Sequence, residues 1–181
     1  MRAVCIALLG LFLFSCAGPA PTRTERITAA MLHVDEVPSE WHLSTDVSLS
    51  AKPACNGLSY WRTYRPDGGM GRFQLVQQVV FDCANAAEGD YVFHYLTTPI
   101  LRIAKAPKAL LGGHPNHADD YAAYCEFNLV GSTECKVISR YGAVVSQIFS
   151  IRPTGIEEWP SERELLDWGV VRMDEAFRDL H

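Results

Sequence analysis

The sequence predicts an α+β fold: one domain whose antiparallel sheet is assembled from hairpins, with helices packed on one face. Two observations carry this expectation. Pairs of strand-like runs flank turn residues, while amphipathic helical segments lie between and around them without regular βα alternation. The chain of 181 residues is also 48% hydrophobic and only 20% charged, a composition that folds around a core.

The elements follow in order. Ile27, Ala30, Met31 and Val34 share one helical face, so a helix is expected from Ile27 to Val37, ending before Pro38. LSYWRTYR (58–65) and RFQLVQQVVF (72–81) flank Pro66-Asp67-Gly68-Gly69, a hairpin signal. Asn85 can cap a second helix running to about Thr98, with Glu88 completing a capping box, Pro99 as its stop and Gly89 as a weak point. YAAYCEF (121–127) and ECKVISRY (134–141) flank a loop containing Gly131, and Gly142 separates the latter from a further strand, Ala143 to Ile151. Ser161 to Glu164 form a capping box for the last helix. Its stripe of Leu166, Val170, Met173, Phe177 and Leu180 fits core contact.

The N-terminus reads as an export signal. Met1-Arg2 precedes an uncharged apolar run from Ala3 to Phe14, and a small residue, Ser15, precedes Cys16. Leu13-Phe14-Ser15-Cys16 resembles the lipobox of bacterial lipoproteins. That resemblance implies cleavage before Cys16, lipidation of Cys16, and an outward-facing anchor in the bacterial cell membrane. It divides the chain into a signal peptide (1–15), a lipidated cysteine with its tether (16–26) and one globular domain (27–181). An uncleaved spanning helix fits less well, because Gly18, Pro19 and Pro21 cut the apolar run short of the roughly 20 residues a span needs. Plain secretory cleavage stays open as a third course.

Four further cysteines, Cys55, Cys83, Cys125 and Cys135, read as two disulfides in an exported chain. Four cysteines allow three connectivities. The hairpins select one: folding about residue 69 sets Cys55 opposite Cys83, and folding about residue 130 sets Cys125 opposite Cys135. A zinc cluster would need ligands in short C-x₂₋₄-C spacing, which these pairs lack.

Sixteen Lys and Arg against 21 Asp and Glu give a net charge of −5 and no basic cluster, which argues against nucleic acid as a partner. His114-Pro115-Asn116-His117-Ala118-Asp119-Asp120 is the one metal-like cluster, with His114, His117 and Asp119 as candidate ligands. Pro115 keeps the two histidines off a common helical face, and Gly112-Gly113 marks a loop in which such residues are commonly just solvated. Arg102, Lys105 and Lys108, spaced by three among apolar residues, form a candidate binding strip near a membrane, although Pro107 fits a loop packed over the sheet better. No G-x-S-x-G elbow occurs, and Gly68-Gly69-Met70-Gly71 lacks the Lys-Ser/Thr of a phosphate loop.

Two short motifs carry a second resemblance. Met31-Leu32 with Glu36-Val37-Pro38 and Trp41 resembles an L-x-x-x-D-L-P-x-G-W pattern of small exported bacterial proteins of unknown activity. Glu36 stands in for its Asp and Glu40 for its Gly. Arg140-Tyr141-Gly142 with Val144-Val145 resembles the R-Y-G-x-x-V strand of the same chains, and the element order resembles the extracellular sensor domains of bacterial serine/threonine kinases. The expectation is a cell-envelope lipoprotein that uses no cofactor and acts as a binding or sensor-like module for a protein or small ligand. The alternatives are a metal-dependent hydrolase centred on His114 and His117, or a structural subunit of an envelope complex.

Overall fold

Two three-stranded meanders, each preceded by a helix, join side by side into one sheet. A computed structural model describes residues 20–52, 54–67, 74–101, 115–127, 131–153 and 160–178. The elements are α1 (Arg23–Ala30), β1 (Trp41–Ser50), β2 (Leu58–Pro66), β3 (Leu75–Asp82), α2 (Ala86–Leu101), β4 (Asp120–Phe127), β5 (Ser132–Tyr141), β6 (Val144–Pro153) and α3 (Pro160–Phe177). The sheet order is β1-β2-β3-β6-β5-β4, and every neighbouring pair is antiparallel. The α+β class and the single domain stand as expected.

The helices, however, cover both faces. On the first face, Tyr60, Tyr64, Val76, Val80, Val137, Tyr141, Val144 and Ile148 meet α1 and α3. On the second, Tyr124, Ile138 and Val145 meet Val92 and Phe93 of α2. The expected one-sided packing is corrected here. Val137-Ile138 and Val144-Val145 are consecutive buried residues, and side chains alternate across a strand, so both faces of β5 and β6 need cover. The first face is already filled by Leu165, Leu166, Val170, Met173 and Phe177 of α3.

Several boundaries also move. Thr22, not a later residue, caps α1 through a capping box with Glu25, and α1 ends at Ala30, so residues 31–40 form a turning connection rather than helix. β1 is a strand that the sequence pattern did not announce. Gly89 sits inside α2 because the helix packs on the β5–β6 turn, where an added Cβ would lie 2.5 Å from the Gly142 carbonyl oxygen. Gly142 takes φ 58° in that two-residue turn, a conformation glycine adopts without strain.

The connection after α1 is wired to the centre of the sheet by buried polar bonds. The Leu32 N–H donates to Gln78 Oε1 at 2.9 Å, and its carbonyl accepts from Arg62 Nη1 at 2.9 Å and from the Tyr64 hydroxyl. Leu32, Tyr64 and Gln78 are fully buried. Glu36 pairs with Arg172 of α3 and accepts from the His33 N–H at 3.1 Å, while Trp41 is buried at the start of β1. The first of the two resemblance motifs is therefore a structural staple: its residues fasten the connection to sheet and helix.

Burial raises the Tyr64 pKa from 10.0 to about 12, and burial likewise raises that of Tyr141. A raised folded-state pKa means that the stability these phenols contribute is complete below about pH 10. It is lost as pH climbs through the folded values, by about 1.4 kcal/mol per pH unit for each phenol in that window. Urea denaturation at a series of pH values should show stability falling between about pH 10 and 12. Tyr64→Phe should lower stability at pH 8 by about 1–2 kcal/mol, through the lost bond to Leu32, and should make the alkaline fall shallower by about one proton.

Candidate functional site

The His117 loop is held from below by a buried carboxylate. Asp174, on the last turns of α3 and 6% exposed, accepts from the Asn116 N–H and the His117 N–H, both at 2.9 Å. The Tyr141 hydroxyl lies against Asp174 and Ser139 without a hydrogen bond of full geometry to either. Arg140 collects the next two carboxylates: its Nε meets Asp120 Oδ2 at 2.7 Å and its Nη1 meets Asp119 Oδ2 at 3.2 Å. Asp119 Oδ2 also accepts from the Gly142 N–H at 2.6 Å. Arg140-Tyr141-Gly142 thus reads physically as an ion-pair fork, a core aromatic stacked on Phe177, and a left-handed turn residue.

These bonds decide what the loop can do. Asp119 and Asp120 are engaged by Arg140, and Asp174 by two main-chain amides. Among the described residues no three His, Cys, Asp or Glu side chains are grouped to hold a metal ion. His117 and Asp119 lie within the described residues; Cys16, Arg102, Lys105, Lys108 and His114 lie outside them. A cleft of ≈ 280 Å³ between Pro115–His117 and α3 is lined by Val170, Asp174, Glu175 and Arg178. A shallower groove of ≈ 460 Å³ separates α1 from α3, with Arg26, Ala29, Arg172 and Glu175 along it.

The second sheet face offers a different surface. Thr45, Thr63, Gln77, Phe149 and Lys136 stand opposite one another across β1, β2, β3, β6 and β5. Val47, Trp61, Val79 and Gln147 form the adjacent row. The helix packed on this face, α2, contacts β5 and β6, and no described helix packs on β1 and β2 there. Trp61, Gln77, Phe149 and Gln147 are all half-buried. The Trp61 indole donates to Ser59 Oγ at 3.0 Å and Gln77 Nε2 to Thr63 Oγ1 at 2.7 Å. Lys136 is neutralised by Glu134 at 2.9 Å and lies 5.7 Å from the centre of the Tyr124 ring. Aromatic walls, carboxamides and a neutralised cation suit an uncharged ligand with a flat or apolar body. No local sequence motif marks this row, because its members come from five strands.

Cys55 is bonded to Cys83 with Cα atoms 5.5 Å apart, and Cys125 to Cys135, its direct register partner, with Cα atoms 4.0 Å apart. Paired cysteines of this kind belong to chains that mature in an oxidising compartment. No described helix is long and apolar enough to cross a membrane.

This chain resembles in fold the extracellular domain of the kinase PknH from Mycobacterium tuberculosis, with a TM-score of 0.56 over 88% of its own length and 98% of the other chain. The identity is 14%, so the likeness is one of fold. No protein-family model matches the chain, and no curated protein matches it in sequence.

Asp174 supports the loop as a stabilising group. Asp174→Ala should cost about 2 kcal/mol by leaving two amides without their charged acceptor, and should speed hydrogen exchange at Asn116 and His117. Asp174→Asn keeps one acceptor oxygen and should cost less. Equal exchange rates in the three proteins would contradict this assignment.

Proposed function

We propose that the chain is an exported, lipid-anchored cell-envelope protein whose domain is a non-catalytic, sensor-like module for a small uncharged ligand. The observation that carries the binding assignment is the row on the second sheet face, where Trp61, Gln77, Gln147 and Phe149 are half-buried beside a neutralised lysine. The carboxylates of the His117 loop, which would serve a hydrolytic site, are instead engaged in holding the fold. Export is supported by the signal-like first fifteen residues, the two disulfides and the shared fold with an extracellular domain.

Anchoring and binding are tested separately. Mass spectrometry of the chain expressed in a bacterial envelope should find residues 1–15 removed and Cys16 carrying a thioether-linked lipid. Cys16→Ala should be released from the membrane fraction, and an unlipidated Cys16 would contradict the anchor. For binding, the protein is titrated with a library of neutral aromatic compounds and followed by amide and indole NMR signals. The shifts should gather on the Trp61 indole N–H and the Gln77 side-chain amide. Trp61→Ala should weaken the best binder at least tenfold, about 1.4 kcal/mol, with the fold retained. Binders that map elsewhere, or bind the variant equally well, would contradict the assignment.

A further inference from the structure

One edge of the sheet is formed by β1, and Ser44 to Ser50 are all exposed along it. Such edges are normally blunted by proline, lysine or bulges, because their unpaired main-chain groups attract another strand. The segment Ser44 to Ser50 contains no Pro, Lys or Arg. Its irregularity, between Leu43 and Thr45, lies at one end, and its single charge, Asp46, is paired with Arg62 at 3.2 Å. Thr45 to Ser50 therefore present a regular strand with two outward apolar side chains, Val47 (40% exposed) and Leu49 (53% exposed).

We infer that β1 pairs antiparallel with β1 of a second copy of this chain, about a two-fold axis through Ser48. A closed antiparallel pair has its axis normal to the sheet, so opposing residues share a face and the axis passes through a residue. An axis through Asp46 sets two carboxylates against each other, which is unfavourable. An axis through Val47 leaves Leu49 against Thr45 of the second copy. The axis through Ser48 sets Val47 against Leu49 of the second copy twice, and Asp46 against Ser50. Both exposed apolar side chains are then covered, and no like charges meet.

The same axis fixes which way the two domains face. Rotation about the sheet normal keeps each face on its own side, so α1 of both copies shares one side of the joined sheet. The Trp61 row of both copies then looks the other way. Two chains anchored in one membrane can meet in this manner, and anchoring raises their effective concentration enough for a contact of a few residue pairs. The pairing is independent of the ligand; only its orientation toward a membrane rests on the proposed anchor.

The test uses the full chain in bacterial membranes, treated with a short bismaleimide. Ser48→Cys should give several-fold more cross-linked dimer than Ser44→Cys or the unsubstituted chain, which reports any background from Cys16. Adding Val47→Lys, at an exposed position, should return Ser48→Cys to background while leaving the melting temperature unchanged. The inference is overturned if Ser48→Cys cross-links no more than the unsubstituted chain, if Ser44→Cys cross-links faster, or if the dimer survives Val47→Lys in a folded protein.

Discussion

The attachment of one main-chain unit, Leu32, to the middle of the sheet is the constraint on which the rest of this fold depends. Its amide and carbonyl are buried where no water can satisfy them, and an unpaired buried peptide group costs about 1–3 kcal/mol. Gln78, Arg62 and Tyr64 supply the partners, from two neighbouring strands. Once Leu32 is fixed, Met31 and Ile27 must enter the core beneath Tyr60 and Val80, and Glu36 is brought to Arg172 on α3. The C-terminal half of the last helix is then held by Glu36, through Arg172, and by the loop amides that Asp174 binds. The N-terminal connection, the sheet and the C-terminal helix are thereby one cooperative unit.

Much of this was legible in the sequence, and for physical reasons. Hairpin symmetry placed the cysteine pairs because a hairpin with a short turn fixes which residues face each other, and Cys125 does lie opposite Cys135 in the ladder. The stripe through Leu166, Val170, Met173 and Phe177 was readable because α3 buries a single face. What escaped has equally physical causes. β1 carries serine, threonine and aspartate along an exposed edge, so the apolar alternation that reveals a strand is reduced to Val47 and Leu49. The helix expected over Ile27 to Val37 stops early because bonds from Gln78, Arg62 and Tyr64, all distant in sequence, outbid the local periodicity. α2 lies on the second face for a reason visible only after strand order is known: β5 and β6 are apolar on both sides. The surface around Trp61 has no signature at all, since its side chains come from separate strands distant in sequence.

The two short motifs that carry the resemblance to small exported bacterial proteins are fastenings. Met31 to Trp41 secures the connection over the sheet, and Arg140-Tyr141-Gly142 gathers Asp119 and Asp120, fills the core and turns the chain. Polar residues that hold structure are spent, in the sense that their charges and hydrogen-bonding groups are answered within the fold. The surfaces left for recognition are those that asked for no staple, the second face between Trp61 and Phe149 and the open edge of β1. The first face is covered by two helices, while on the second α2 is the one described helix and covers β5 and β6, leaving β1 and β2 without a described helix there.

Hydrogen exchange at the Leu32 amide tests this account most directly. If the bond to Gln78 joins the connection to the sheet as one unit, Leu32 should exchange only through global unfolding, as slowly as the central amides of β3 and β6, and its protection should fall in step with stability as urea is added. Exchange at Leu32 that is orders of magnitude faster than at those strands, and insensitive to low urea, would show that the connection opens on its own and would contradict the account.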